Sequence, residues 1–136
     1  MKVQEILKNS PIIAAVKDCE GLHRALQCDS EVFFILFGNI CNIGESVEEA
    51  KAAGKIVFVH LDLIEGLAGK EIAVDFLKKT TRLDGIISTK PMLLKYAKTQ
   101  GLLTVQRFFL LDSIAAANID RQFAISRPDM VRFCRV

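Results

Sequence analysis

Short runs of consecutive apolar residues alternate along the chain with longer stretches in which apolar and polar residues recur at helical spacing. Residues 11–16 and 32–37 are uninterrupted apolar runs rich in β-formers, the pattern of strands buried on both faces. Residues 56–60, 85–87, 104–107 and 130–133 continue the series, the last with weaker patterning. Amphipathic segments predict helices over 20–27, 71–80 and 91–99, the last opened by Pro91 and stopped just before Gly101. A further helix is expected from Ser46 as N-cap, with Glu49 completing a reciprocal Ser-x-x-Glu box, to a left-handed stop at Gly54.

The starts of successive strands lie between 19 residues (85 to 104) and 29 residues (56 to 85) apart. A crossover needs about 10–12 residues, so each gap holds a helix, and no tight hairpin signal such as Asn-Gly intervenes. The expectation is an α/β fold of about six parallel strands with right-handed crossover helices, as a doubly wound open sheet or as part of a (β/α)8 barrel. In both architectures functional side chains gather at the carboxyl ends of the strands, where loops vary on a rigid frame. Here those ends carry Lys17, His60, Asp62, Ser88, Thr89, Lys90 and Arg107.

Length and composition narrow the class. The 136 residues suit one domain over 1–136, and 51% hydrophobic with 25% charged residues is the composition of a folded globular chain. Eighteen Lys and Arg against sixteen Asp and Glu leave +2, too little to mark nucleic acid or membrane by bulk charge. No apolar run approaches the ~18 residues of a spanning helix and the opening Met1–Glu5 has no secretory character, so a cytoplasmic location without membrane contact is expected. Cys19, Cys28, Cys41 and Cys134 fit neither a zinc ribbon nor a Cys-x-x-Cys pair and read as reduced structural thiols.

The rim chemistry admits two readings. Lys17, Lys90 or Arg107 would neutralise an anion while Asp62 accepts hydroxyl protons, which suits a phosphorylated polyol; alternatively the same side chains terminate strands and pair with one another. His60 and Asp62, two apart and expected on one strand face, are acid–base candidates for a phosphate-binding barrel enzyme, but no third and fourth ligand accompanies them for a metal. Gly66 and Gly69 lie outside the spacing of a strand-to-helix phosphate loop, and no cofactor motif is present. Lys78, Lys79, Arg82, Lys95 and Lys98 fall on outer helix faces and read as solvated charge; Phe108 and Phe109 read as buried strand-end aromatics rather than base-stacking platforms.

Three strings, at residues 59–66, 84–90 and 106–113, in this order and spacing closely resemble the glycerol uptake operon antiterminator regulatory proteins, the GlpP family. Residues 13–17 and the helix end at Ala53, Gly54 and Lys55 are similar too, and the resemblance runs nearly to Asp129. It implies a (β/α)-barrel regulator, not an enzyme, that responds to glycerol 3-phosphate and binds the leader mRNA of glycerol-metabolism genes to let polymerase pass a terminator. The matching polar positions are Lys17, His60, Asp62, Ser88, Thr89, Lys90, Arg107, Asp112 and Ser113. Arg107 and Lys90 are expected to meet ligand charge and Asp62 its hydroxyls.

After Val131 the chain departs from the family pattern, which continues Glu, two aliphatics, Pro, Gly and Val. Loss of one G from GTG GAG ATT TTG CCG GGT G changes Val-Glu-Ile-Leu-Pro-Gly into Val-Arg-Phe-Cys-Arg-Val, the string from Val131 to Val136. A frame-shifted gene encoding an incomplete barrel, without its last strand–helix units, is therefore expected. Two unpaired sheet edges would then favour homo-oligomers, and an inactive fragment of the regulator is the alternative outcome.

Overall fold

The computed structural model of the chain describes residues 12–110, 125 and 127–135. Asp112 and Ser113 lie outside these residues. The described strands are β1 (Ile13–Val16), β2 (Val32–Ile35), β3 (Ile56–His60), β4 (Gly85–Ser88), β5 (Leu103–Leu110) and β6 (Met130–Arg135). Helices α1 (Cys19–Leu26), α2 (Ile43–Ala52), α3 (Glu71–Thr80) and α4 (Pro91–Thr99) alternate with them as far as β5. Every neighbouring pair is parallel and the spatial order is β1-β2-β3-β4-β5-β6.

That order decides between the two candidate architectures, because a doubly wound sheet reverses direction at a switch point and this one never does. All four described helices also bury their apolar stripes on one face of the sheet. Leu22 and Ala25 of α1, Ile43, Val47 and Ala50 of α2, Ala73, Val74 and Leu77 of α3, and Leu93, Leu94 and Ala97 of α4 share one cluster with Phe33, Ile35, Val57, Val59 and Ile86. The alternate strand residues, Val32, Phe34, Ile56, Phe58, Ile87 and Val105, form a separate cluster on the opposite face, the interior face of a barrel wall. The Phe34 and Phe58 rings meet edge to face there, centroids 5.5 Å apart. The fold is thus an α/β sheet of partial (β/α)-barrel type.

Local sequence explains most element ends. The Asp18 carboxylate accepts from the Gly21 N–H at 2.6 Å and caps α1. Gly54 and Gly101, at φ of 78° and 82°, take the left-handed position just past α2 and α4, as expected. The Ser46 capping box does not form: α2 begins at Ile43, and Ser46 is buried within it. Two asparagines three residues apart make the turn instead. Asn39 N–H donates to Asn42 Oδ1 at 2.9 Å, and Asn39 Oδ1 accepts from the N–H groups of Cys41 and Asn42 at 2.8 and 3.1 Å. These bonds fix the chain in the turn that leads directly into helix, so the Ser46 hydroxyl has no exposed N-terminus to cap.

At the amino end of the sheet, aspartates one residue ahead of β4 and β6 reach back to the preceding strand. Asp84 Oδ2 accepts from Val57 N–H at 2.8 Å and from Lys51 Nζ at 2.8 Å. Asp129 Oδ2 accepts from Thr104 N–H at 2.8 Å. Cys19, Cys28 and Cys41 are free thiols, but they lie at the surface rather than in the core. No helix among the described residues is long and apolar enough to cross a membrane.

Candidate functional site

Parallel strands bring their carboxyl ends to one rim, where Asp62, Ser88, Thr89 and Lys90 are found. Asp62 is its centre. It does not share a strand face with His60, contrary to the sequence reading: β3 ends at His60, and the chain turns through a single 3-10 turn, Leu61–Leu63, which carries Asp62 toward β4. Asp62 Oδ1 accepts from Ser88 Oγ at 2.9 Å, and Oδ2 accepts from both the backbone N–H and the hydroxyl of Thr89, at 2.8 and 2.9 Å. Ser88 Oγ in turn accepts from Lys90 N–H at 3.0 Å. One carboxylate therefore fixes the β3 turn to the start of the β4–α4 loop through charge-assisted bonds, while Asp62 itself remains exposed.

The two cations come from neighbouring elements, Lys90 from the start of α4 and Arg107 from β5. Lys90 is exposed, and its ammonium lies over Gly69 of the loop after β3, in the space a side chain at position 69 would occupy. Arg107 is not at the end of its strand as the sequence suggested, because pairing with β6 carries β5 on to Leu110. The register nevertheless sets Gln106 beside Ser88, so Arg107 stands at the height where β4 ends. Strand alternation puts it on the same face as Leu103 and Val105, the interior face. Lys17 follows β1 and is exposed, with no contact that joins it to the Asp62 unit.

Beneath the rim, His60 pairs with Ile87 in the ladder, and Ile87 with Val105. His60 is 2% exposed, and neither ring nitrogen makes a well-formed hydrogen bond among the described residues. Burial holds its pKa below the ordinary value, against the pull of Asp62; Arg107 pushes it down further, and a weak contact with its own backbone raises it slightly. Sequence reasoning missed Gln106, which is fully buried and donates through Nε2 to Thr89 O at 3.2 Å while its Oε1 has no partner among the described residues. A polar residue inside an apolar strand, next to Arg107, was the available signal. Loops at this rim are also tied together: Ile40 N–H donates to Glu65 O and Glu65 N–H to Gly38 O, both at 3.0 Å. Among the described residues no three His, Cys, Asp or Glu side chains gather as a metal site.

Comparison with known proteins agrees with this architecture. The family model of glycerol-3-phosphate responsive antiterminators matches residues 12–134. The uncharacterized protein YgcP of Escherichia coli (strain K12) is 44% identical over 131 residues, which is 96% of this chain and 69% of that protein. A crystal structure of a glycerol uptake operon antiterminator regulatory protein from Listeria monocytogenes superposes with a TM-score of 0.87 at 31% identity, over 92% of this chain and 68% of that one. A glycerol uptake operon antiterminator-related protein from Thermotoga maritima gives a TM-score of 0.80 at 36% identity, over 90% and 69%. With the family pattern running from β1 into β6 and the sheet matching in three dimensions, the chain belongs to the glycerol-3-phosphate responsive antiterminators, a regulatory family.

Proposed function

We propose that the rim of this sheet binds glycerol 3-phosphate and that the loaded protein acts in the cytoplasm on the leader mRNA of glycerol-metabolism genes, letting transcription continue past a terminator. Arg107 and Lys90 take the phosphate, with Lys17 as a further cation at the β1 edge. Asp62, held in place by Ser88 and Thr89, accepts a hydrogen bond from a ligand hydroxyl. The Ser88 hydroxyl already donates to Asp62 and accepts from Lys90 N–H, so Ser88 acts by positioning the carboxylate. The observation that supports the reading is the carboxylate of Asp62, oriented by Ser88 and Thr89 at the carboxyl end of β3, with Lys90 and Arg107 supplied by the neighbouring elements: a ligand carrying both an anion and hydroxyls suits this set of groups. β1 and β6 end the described sheet, and self-association along those edges belongs to the same reading.

Calorimetric titration of glycerol 3-phosphate into the parent and into Arg107→Ala tests the ligand assignment. Loss of the guanidinium should weaken binding by about tenfold or more, since an ion-assisted bond is worth ~1.5–3 kcal/mol. Equal affinities overturn the assignment. Transcription in vitro across a leader terminator, with and without glycerol 3-phosphate, tests the regulatory step; read-through that ignores both protein and effector overturns it.

A further inference from the structure

Among the described residues the imidazole of His60 is buried with both ring nitrogens short of a well-formed hydrogen bond. An uncharged imidazole offers one donor and one acceptor, and leaving such groups unmade in a dry site costs roughly 1–3 kcal/mol each. Native folds rarely keep that cost without a use for the group. Among the described residues the atoms in this condition are the two ring nitrogens of His60 and Oε1 of Gln106, all at the carboxyl end of the sheet. His60 follows Phe58 on the interior face, beside Ile87 and below the height of Arg107. The surroundings are apolar on the floor and charged at the rim.

We propose that His60 is the specificity-determining residue of this site, and that its neutral imidazole hydrogen-bonds the uncharged hydroxyl end of a polyol phosphate. This rests on the effector reading above and deepens it, because it assigns the discrimination between ligands that carry the same phosphate. The physical basis is a match of hydrogen-bonding types. A hydroxyl both donates and accepts, so it satisfies either ring nitrogen whichever one carries the proton. A carboxylate in the same place only accepts, and an alkyl group does neither. Arg107 and burial both work against a charged imidazole, which keeps His60 in the form that reads hydroxyls and leaves anion binding to Arg107 and Lys90.

Two ligands of equal charge separate this role from a structural one: glycerol 3-phosphate and propyl phosphate, which lacks both hydroxyls. With the full chain, His60→Leu should weaken glycerol 3-phosphate by about tenfold or more and leave propyl phosphate within about twofold. His60→Gln, which restores a donor and an acceptor, should recover part of the loss. Because no well-formed hydrogen bond among the described residues is lost with the imidazole, His60→Leu should melt no lower than the parent at pH 7.5. A His60→Leu loss equal for both ligands, or absent for both, overturns the proposal, as does a Gln variant that binds no better than Leu. If the parent binds glycerol 3-phosphate no better than propyl phosphate, hydroxyl recognition fails in its entirety; if it binds neither, the effector reading fails first and takes this one with it.

Discussion

Replacing Asp62 by Asn changes neither size nor shape, so its effect isolates the charge and the second acceptor oxygen. In the parent, Oδ2 holds the Thr89 N–H and hydroxyl and Oδ1 holds the Ser88 hydroxyl. An amide has one oxygen. If its NH2 faces Thr89, a backbone N–H that cannot turn away meets another donor and two bonds go. If its NH2 faces Ser88, the hydroxyl can rotate, its oxygen already accepts from Lys90 N–H, and one bond goes while two lose their charge assistance. The second orientation is the cheaper. A charged hydrogen bond is worth ~1.5–3 kcal/mol when buried, and discounting for the exposure of Asp62 leaves a loss of about 1–2 kcal/mol. For a chain of this size that corresponds to a fall of roughly 4–8 °C in melting temperature. Circular dichroism melts of Asp62→Asn, Ser88→Ala and the double variant measure it, and the double should lose less than the two singles together because they share a bond. A melting temperature of Asp62→Asn within about 1 °C of the parent, with additive effects, would show that the carboxylate does not hold the rim.

Two further expectations concern stability. His60 is held below its ordinary pKa, so below about pH 6.5 the unfolded chain takes up a proton that the folded chain refuses. Its contribution to stability therefore falls on acidification, by at most about 1.4 kcal/mol per pH unit, and levels off below the folded-state value. Urea midpoints of the parent should accordingly drop relative to those of His60→Leu between pH 7.5 and 5.5, and parallel pH profiles contradict the argument. Separately, a methyl group on residue 85 would lie 2.5 Å from Phe58 Cε2 and 2.6 Å from Leu103 O. Gly85→Ala should cost about 1–3 kcal/mol by overpacking, partly recovered by Phe58→Leu, and an unchanged urea midpoint for Gly85→Ala would refute the close approach.

The strands were readable because a strand covered on both faces leaves nothing but apolar residues in its row, as in Val32–Ile35. The helices from Glu71 and Pro91 were readable for the opposite reason, since only one stripe of each is buried. Part of what escaped depended on partners distant in sequence. The length of β5 is set by β6, and no local signal near Phe108 says that the ladder continues to Leu110. The start of α2 escaped for a local reason: Asn39 and Asn42 carry the right spacing, but Ser46 with Glu49 offers the more familiar pattern. At the rim, the sequence named Asp62, Ser88 and Thr89 together, but the hydrogen bonds among them did not follow from residue types. That Ser88 is spent on Asp62, and that His60 makes no well-formed side-chain hydrogen bond among the described residues, are facts of three-dimensional geometry.

The aspartates ahead of β4 and β6 have a consequence for how such a sheet tolerates change in length. Asp84 meets the amide of Val57, and Asp129 that of Thr104, only when the intervening stretch returns the chain to the level from which it left. Each carboxylate thus acts as a gauge that rejects an inserted or deleted residue on the amino side of the unit. Growth and loss of chain are thereby steered to the opposite rim, where new loops, and new ligands with them, can be tried without shifting the register below.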